Sequence, residues 1–240
     1  MKKLTVLMVL AMVMAGAFLV GCSSRNVEVL NPAKAVASED GIALAIVYDN
    51  SGSMSDNVLN EKGGQESKQE IAKRAFIKLI ESLKGYSENG GKKVQVGVAT
   101  FGFSSPVVGF PMSDFNYNAL VEYAKTLGAD QNTPLGVTVE LAAGMVLQSP
   151  MKEKHIVVLT DGLNNTGPDP VSIMASAEYR NVVSKYPVGT YFVAFDISGD
   201  RFSNLIPLGA KIFEATDEKE LDLKFTEILV EEILFEDPNQ

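Results

Sequence analysis

Apolar strands alternating with amphipathic helices predict an α/β fold: a doubly wound, mainly parallel sheet with one antiparallel edge strand and helices on both faces. Three observations carry this expectation. Ile42 to Tyr48 and Ile156 to Leu159 are near-continuous apolar runs, as expected of strands buried on both faces. Between such runs, apolar residues recur at helical spacing, as in Ile71, Ala72, Ala75, Phe76, Leu79, Ile80 and Leu83. The alternation runs without internal repeat or low-complexity tract through a 240-residue chain that is 46% hydrophobic, enough for one large core and too apolar for disorder.

The elements follow in order. After the strand ending at Tyr48 comes the helix on Ile71 to Leu83, with Lys73, Lys78 and Glu81 on its solvent side. Val94, Val96 and Val98 form the next strand, and Gly102 to Ser105 turns into Val107–Phe110, its antiparallel hairpin partner. Asp114 is placed to cap a helix carrying Tyr117, Leu120, Val121, Ala124 and Leu127, with Gly128 ending it. Pro134 suits the first position of a helix built on Leu135, Val139, Ala142 and Val146. Beyond the strand at Ile156–Leu159, Asp169-Pro170 starts another helix by the same logic. Thr190–Phe195 and Lys211–Ala215 are strands, and Asp217 to about Phe235 is a final amphipathic helix whose first turn is rich in acids.

The N-terminus has its own pattern. Lys2-Lys3 followed by the apolar run Leu4 to Val20 reads as a secretory signal. It closes on Leu19-Val20-Gly21-Cys22, which resembles the bacterial lipobox, whose cysteine is acylated as the signal is removed. That resemblance implies a signal peptide over 1–21, lipidation at Cys22, a tether over 22–40, the folded domain over 41–235 and a short tail over 236–240. Ser23 after the cysteine leans towards the outer membrane in a Gram-negative envelope. A plain signal peptide or a membrane anchor are the alternatives, and all three place the rest of the chain outside the cytoplasm. Cys22 is the only cysteine, so the chain can form neither an internal disulfide nor a thiolate metal site. Loss of Lys2 and Lys3 with the signal, and of no acid, moves the net charge from −9 to −11, a balance that repels nucleic acid.

Three short segments far apart in the chain carry the chemistry: Asp49-Asn50-Ser51-Gly52-Ser53, Thr133-Pro134-Leu135-Gly136 and Thr160-Asp161-Gly162. Each adjoins an apolar element and offers only oxygen donors, which suit a hard cation such as Mg²⁺ held at roughly 2.1 Å with some of its water retained. Asp49 and Asp161 stand at the carboxyl ends of central strands, where open α/β sheets bind ligands. Two serines and a threonine leave much of an ion's charge uncancelled, so a carboxylate from another molecule is the natural remaining ligand.

From about residue 41 to 235 the chain resembles a von Willebrand factor type A domain, Rossmann-like in fold. The family's metal-ion-dependent adhesion site is written D-x-S-x-S, a distant Thr and a distant Asp, and Asp49, Ser51, Ser53, Thr133 and Asp161 fill every position. The resemblance implies Ser51 and Ser53 in direct contact with Mg²⁺ (or Mn²⁺), Thr133 joining when ligand is present, and Asp49 and Asp161 acting through water. It implies a binding protein rather than an enzyme, one that captures an Asp or Glu of a protein partner. Ligation could also bias the Thr133 loop and the final helix, as in signalling members. Gly52 and Gly162 are expected to let backbone approach the ion, and the loops at 55–65 and 162–170 to supply specificity.

Rival chemistries are weaker. A structural envelope subunit whose metal only stabilises the fold remains open. A metal-dependent hydrolase lacks an evident base, because the only histidine, His155, sits just before a predicted strand as a solvated or capping residue. Asp196 ends a strand as loop material, Phe101, Phe103, Phe110, Phe192 and Phe195 are expected in the core or hairpin, and Asn164 and Asn165 fit either ligand contact or turn formation.

Overall fold

The computed structural model describes residues 30, 34–129 and 131–234. The expected signal, Cys22, most of the tether, Phe235 and the tail lie outside the described residues. Among the described residues no helix is long and apolar enough to cross a membrane.

In chain order the strands are β1 (Glu39–Tyr48), β2 (Asn57–Leu59), β3 (Gln65–Ser67), β4 (Lys93–Phe101), β5 (Pro106–Asp114), β6 (Met151–Thr160), β7 (Gly189–Phe195) and β8 (Ala210–Ala215). The helices are α1 (Lys68–Glu88), α2 (Tyr117–Thr126), α3 (Leu135–Gln148), α4 (Pro170–Ala175), α5 (Ala177–Val183) and α6 (Glu218–Glu227). Six strands form one sheet in the order β5-β4-β1-β6-β7-β8, and only β5 runs antiparallel to its neighbour. The fold expectation therefore holds, including the antiparallel edge. From β1 the chain crosses through α1 to β4 on one side, whereas β6 leads through α4 and α5 to β7 on the other. The order of the sheet thus reverses between β1 and β6, and their carboxyl ends flank a crevice there.

Both faces of the sheet are covered. Ile42, Leu44, Ile46 and Tyr48 of β1 pack with α1, α2 and α6, while Ala43, Ala45 and Val47 face α3, α4 and the helical turns after β7. The small side chains of β1 let α3 lie close, and eleven of its fourteen residues are buried. This explains why α3 reads as an apolar segment with little polar face. Ahead of β1, Val36 N donates to Leu147 O at 2.9 Å and Ala35 is buried, so this stretch already lies against α3.

Several local expectations are corrected. Asp114 ends β5 and caps nothing; Asn116 caps α2, its Oδ1 accepting from Ala119 N at 3.0 Å, and the helix stops at Thr126 with Leu127 as its cap. Asn116 is one residue before Tyr117, so its short side chain can reach the third helical amide, whereas Asp114 is held in the ladder with Gln95. Pro134 stands just ahead of α3 rather than inside it. The final helix is α-helical only to Glu227 and continues as a π-helical turn over Ile228–Ile233, whose wider winding buries Ile233 and leaves Glu232 free to pair with Lys211. The polar hairpin β2–β3 and the 3₁₀ segment Gly199–Leu208 have no counterpart in the periodicity reading.

Candidate functional site

Asp49 follows β1 directly, and its amide donates to Leu159 O at 3.0 Å, so the ladder with β6 continues to the residue itself. Next, Asn50 is tied to the end of β4 by a two-way pair: Phe101 N donates to Asn50 Oδ1 at 2.7 Å and Asn50 Nδ2 donates to Phe101 O at 3.1 Å. Ser51 N donates to Asp49 Oδ1 at 2.8 Å, an Asx-type turn that folds the loop over its own carboxylate. A 3₁₀ turn over Gly52–Ser55 follows, pinned from below by the fully buried Met54.

The hydroxyls and the second carboxylate then form one chain. Ser51 Oγ and Ser53 Oγ are 3.0 Å apart, and Ser53 Oγ donates to Asp161 Oδ1 at 2.8 Å. Thr160 Oγ1 donates to Asp49 Oδ2 at 2.5 Å, coupling the ends of β1 and β6. Four of the five sequence-derived residues, Asp49, Ser51, Ser53 and Asp161, are thereby joined by hydrogen bonds within a few residues of two adjacent strand ends.

Thr133 joins through backbone. Gln131 is laced to the serine loop, with Gly52 N donating to Gln131 O at 3.0 Å and Gln131 N to Asn50 O at 3.2 Å. On its other flank Thr133 N donates to Asn165 Oδ1 at 2.8 Å, and Asn165 N returns a bond to Thr133 O at 3.0 Å. Asn164 Oδ1 accepts from Gly136 N at 3.1 Å, satisfying an amide in the first turn of α3. The two asparagines thus position the threonine loop.

Electrostatics distinguish the two acids. Asp49 is fully buried, and its carboxyl is pushed up to about 6, first by burial and then by Asp161, against the hydrogen bonds from Ser51 and Thr160. No salt bridge to Asp49 is found among the described residues. Asp161 instead receives Lys68 Nζ on Oδ2 at 3.0 Å, and the same ammonium reaches Asp196 Oδ2 at 2.9 Å. Burial works against the charge on Lys68, but Asp196 and Asp161 outweigh it and raise its pKa.

The donor set fits a hard divalent cation. It is all oxygen, it holds two carboxylates, and one of these is a buried charge that local hydrogen bonds only partly compensate. Among the described residues no group of three or more His, Cys, Asp or Glu is arranged to hold a metal ion, so no carboxylate-rich cage competes with it. Ser51, Thr133 and Asp161 are nearly closed to solvent while Ser53 is exposed, which leaves Ser53 as the hydroxyl at the mouth. Protein packing does not demand glycine here: a Cβ at Gly52 meets nothing within 4 Å, and one at Gly162 only Ser53 Oγ at 3.8 Å.

Lys68 is the residue the sequence reading missed. One signal was present. Lys68 continues the inner stripe Ala72, Ala75, Leu79 and Leu83, and as the first residue of α1 it sits at the end where the helix dipole disfavours a cation. Three other expectations change. His155 lies within β6, partly buried and stacked on Tyr191 with ring centroids 5.9 Å apart, its pKa pushed down to about 4 by burial, so it is not a cap and only partly solvated. Five residues of strand, Ile156 to Thr160, separate it from Asp161, roughly 20 Å. Asp196 is an ion-pair partner rather than mere loop material. Phe103 is 79% exposed at the tip of the β4–β5 turn, where Asn132 Nδ2 donates to its carbonyl, because the turn carries it off the sheet.

The family model described as von Willebrand factor type A domain matches residues 43–223. No curated protein sequence matches the chain. Similar solved structures include the PilB minor pilin from Streptococcus sanguinis, at 19% identity and a TM-score of 0.62 over 80% of this chain and 61% of the pilin. The von Willebrand factor domain of the type V pili tip protein Mfa5 from Porphyromonas gingivalis aligns at 12% identity and a TM-score of 0.57, over 80% of this chain and 95% of that domain. A von Willebrand factor type A protein from Catenulispora acidiphila aligns at 18% identity and 0.55, over 80% and 42%. The chain thus spans 61% of the pilin's length and less than half of the Catenulispora protein's.

Proposed function

The chain belongs to the von Willebrand factor type A domain family, and from that premise we propose that it is a cell-envelope adhesion module. In this reading Asp49, Ser51, Ser53, Thr133 and Asp161 hold Mg²⁺ or Mn²⁺, and a protein partner supplies an Asp or Glu carboxylate. The supporting observation is the hydrogen-bonded run from Ser51 through Ser53 to Asp161 across the β1–β6 crevice, beside the buried Asp49, which has no ion-pair partner among the described residues. When bound, the ion supplies an electrophilic position facing solvent. Ser51 and Ser53 contribute neutral oxygens, Asp49 holds the serine loop through Ser51 N, and Asp161 orients Ser53. The hydroxyls add no negative charge to that of the two aspartates, so the ion is not over-neutralised before an outside acid meets it.

Placement at the envelope draws on the lipobox-like segment ending at Cys22 and on likeness to proteins described as a minor pilin and a pilus tip protein. Two acyl chains on Cys22 would anchor the module stably. A hydrolase gains no support, since the only histidine is stacked on Tyr191 well along the strand from Asp161.

Calorimetric titration with MgCl₂ and MnCl₂ tests the ion, and pull-down with and without chelator tests the partner. Binding is expected in wild type and lost in Ser53→Ala, with thermal unfolding in EDTA unchanged because Ser53 is exposed. Ion binding that raises the unfolding temperature without any chelator-sensitive partner would favour the purely structural role. No heat with either ion would end the adhesion reading.

A further inference from the structure

Lys68 Nζ stands where a second cation would be least welcome, one carboxylate away from the candidate ion site, and the fold goes to some length to keep it there. Its backbone is fixed by donation to Asp56 O at 2.8 Å, and its side chain is only 7% exposed. Asp196, its other partner, has φ 54 and is the only non-glycine residue at positive φ among the described residues. Left-handed backbone is uncommon for a residue with a Cβ, and Asp is one of the few that adopt it. Asp196 N donates to Ala215 O at 2.8 Å, so this left-handed turn is held by the sheet and aims the carboxylate back at Lys68.

We infer that Lys68 is a tethered cation that sets the charge of the adhesion site, so that a divalent ion and an outside carboxylate bind as a pair rather than separately. The inference rests on the ion reading above. Within the site Asp49 and Asp161 carry two negative charges and Lys68 returns one positive. A divalent ion added to these three groups leaves one positive charge, which the half-exposed Asp196 offsets only in part and an incoming carboxylate cancels. Without Lys68 the two aspartates alone would balance the ion, and an outside acid would add little. Asp196 is half in solvent, so water screens its charge more than that of the buried Lys68. Because coupling between two ligands is reciprocal, ion and acid must each raise the other's affinity by one common factor, and Lys68 sets that factor.

The substitutions Lys68→Met and Asp196→Asn separate this electrostatic role from a structural one, because they change the local charge in opposite directions. Asparagine tolerates left-handed backbone well, so Asp196→Asn keeps the turn while removing the acid that draws Lys68 away from Asp161. The experiment is calorimetric titration of MnCl₂ into the full chain, with and without sodium acetate as the carboxylate, ionic strength being held with chloride. Wild type is expected to bind Mn²⁺ weakly alone and more tightly in acetate. Lys68→Met should tighten Mn²⁺ alone by about tenfold and lose most of the acetate effect, whereas Asp196→Asn should weaken Mn²⁺ alone several-fold. Thermal unfolding in EDTA checks that each variant folds, and if Lys68→Met does not, the weakening in Asp196→Asn still decides. Variants that shift in the same direction, or not at all, overturn the proposal and leave the ion reading standing. Absence of Mn²⁺ binding in every protein, with and without acetate, overturns both.

Discussion

Thr133 and Asn165 hold each other by two hydrogen bonds, Thr133 N to Asn165 Oδ1 at 2.8 Å and Asn165 N to Thr133 O at 3.0 Å. Through this pair the loop after β6 fixes the loop before α3, and the proposed third hydroxyl is placed by a residue that need not touch the ion. Asn165→Ala leaves the Thr133 amide unpaired in a buried site, at an expected loss of about 1–2 kcal/mol. It should also weaken Mg²⁺ binding several-fold although no proposed ligand is altered. Denaturant unfolding in EDTA with parallel calorimetry checks both, and unchanged ion affinity would show that Thr133 is positioned without Asn165.

Asp49 makes function and stability oppose one another. Its carboxyl titrates at about 6 in the fold against an ordinary 3.8, so the folded chain holds a proton that the unfolded chain has released between those values. Folding is therefore favoured by this group at low pH, and the advantage is lost as pH rises to about 6 and stays lost above it. Asp49→Asn removes the penalty while keeping an acceptor for Ser51 N. It should stabilise the chelated protein at pH 7 by up to about 3 kcal/mol and abolish the rise in unfolding temperature produced by Mg²⁺. A variant less stable than wild type in EDTA would contradict this.

Strands β1, β4, β6 and β7 were legible because burial on both faces writes unbroken apolar runs, and α1 because its buried stripe recurs at helical spacing. Asp49, Ser51, Ser53, Thr133 and Asp161 were legible as a resemblance, being short motifs of fixed order. What was not legible depends on contacts distant in sequence. Lys68 falls on the inner stripe of α1, but nothing near it in sequence names a partner until the ends of β6 and β7 bring Asp161 and Asp196 to it. Hairpin β2–β3 is short and polar, and it is held from outside by Arg74 on Glu66 and Lys68 N on Asp56 O. Asn165 could be told from a ligand-contacting residue only once its partner was seen. Beyond Glu227 the π-helical turn buries Ile228, Leu229 and Ile233, a spacing that α-helical periodicity does not encode.

Gly136 is where α3 and the start of α4 meet backbone to backbone. A Cβ there would stand 2.2 Å from Pro168 O and 2.4 Å from Asp169 C, neither of which can rotate away as a side chain could. Gly136→Ala must push the two segments apart, at a cost of about 1–3 kcal/mol. Because Gly136 N is also bound by Asn164, the displacement reaches the Thr133 loop. Lower stability together with weaker Mg²⁺ binding is expected, read by denaturant unfolding and calorimetry. Gly52→Ala, which meets no protein atom, is the control and should leave stability in EDTA within about 0.5 kcal/mol of wild type.

His155 makes the fold sensitive to acid from a position remote from the candidate site. Burial pushes its pKa down to about 4 from the ordinary 6.5, so the folded chain keeps the ring neutral while the unfolded chain protonates it. Between those values the unfolded state binds more protons, so this group's contribution is complete above pH 6.5 and drains away as pH falls towards 4. A shift of this size corresponds to at most about 3 kcal/mol, less to the extent that the ring keeps some solvent contact. Asp49 acts in the opposite sense over part of the same range, so wild type alone would show only the difference. His155→Phe keeps the stacking on Tyr191 and removes the titration, giving up the contact of Nδ1 with the Tyr191 hydroxyl at 3.3 Å. Urea unfolding of both proteins in chelator from pH 4 to 7.5 isolates the histidine. The stability of His155→Phe relative to wild type should rise steadily as pH falls below 6.5, and a pH-independent difference would mean that the ring is already protonated in the fold or that the unfolded chain leaves it neutral.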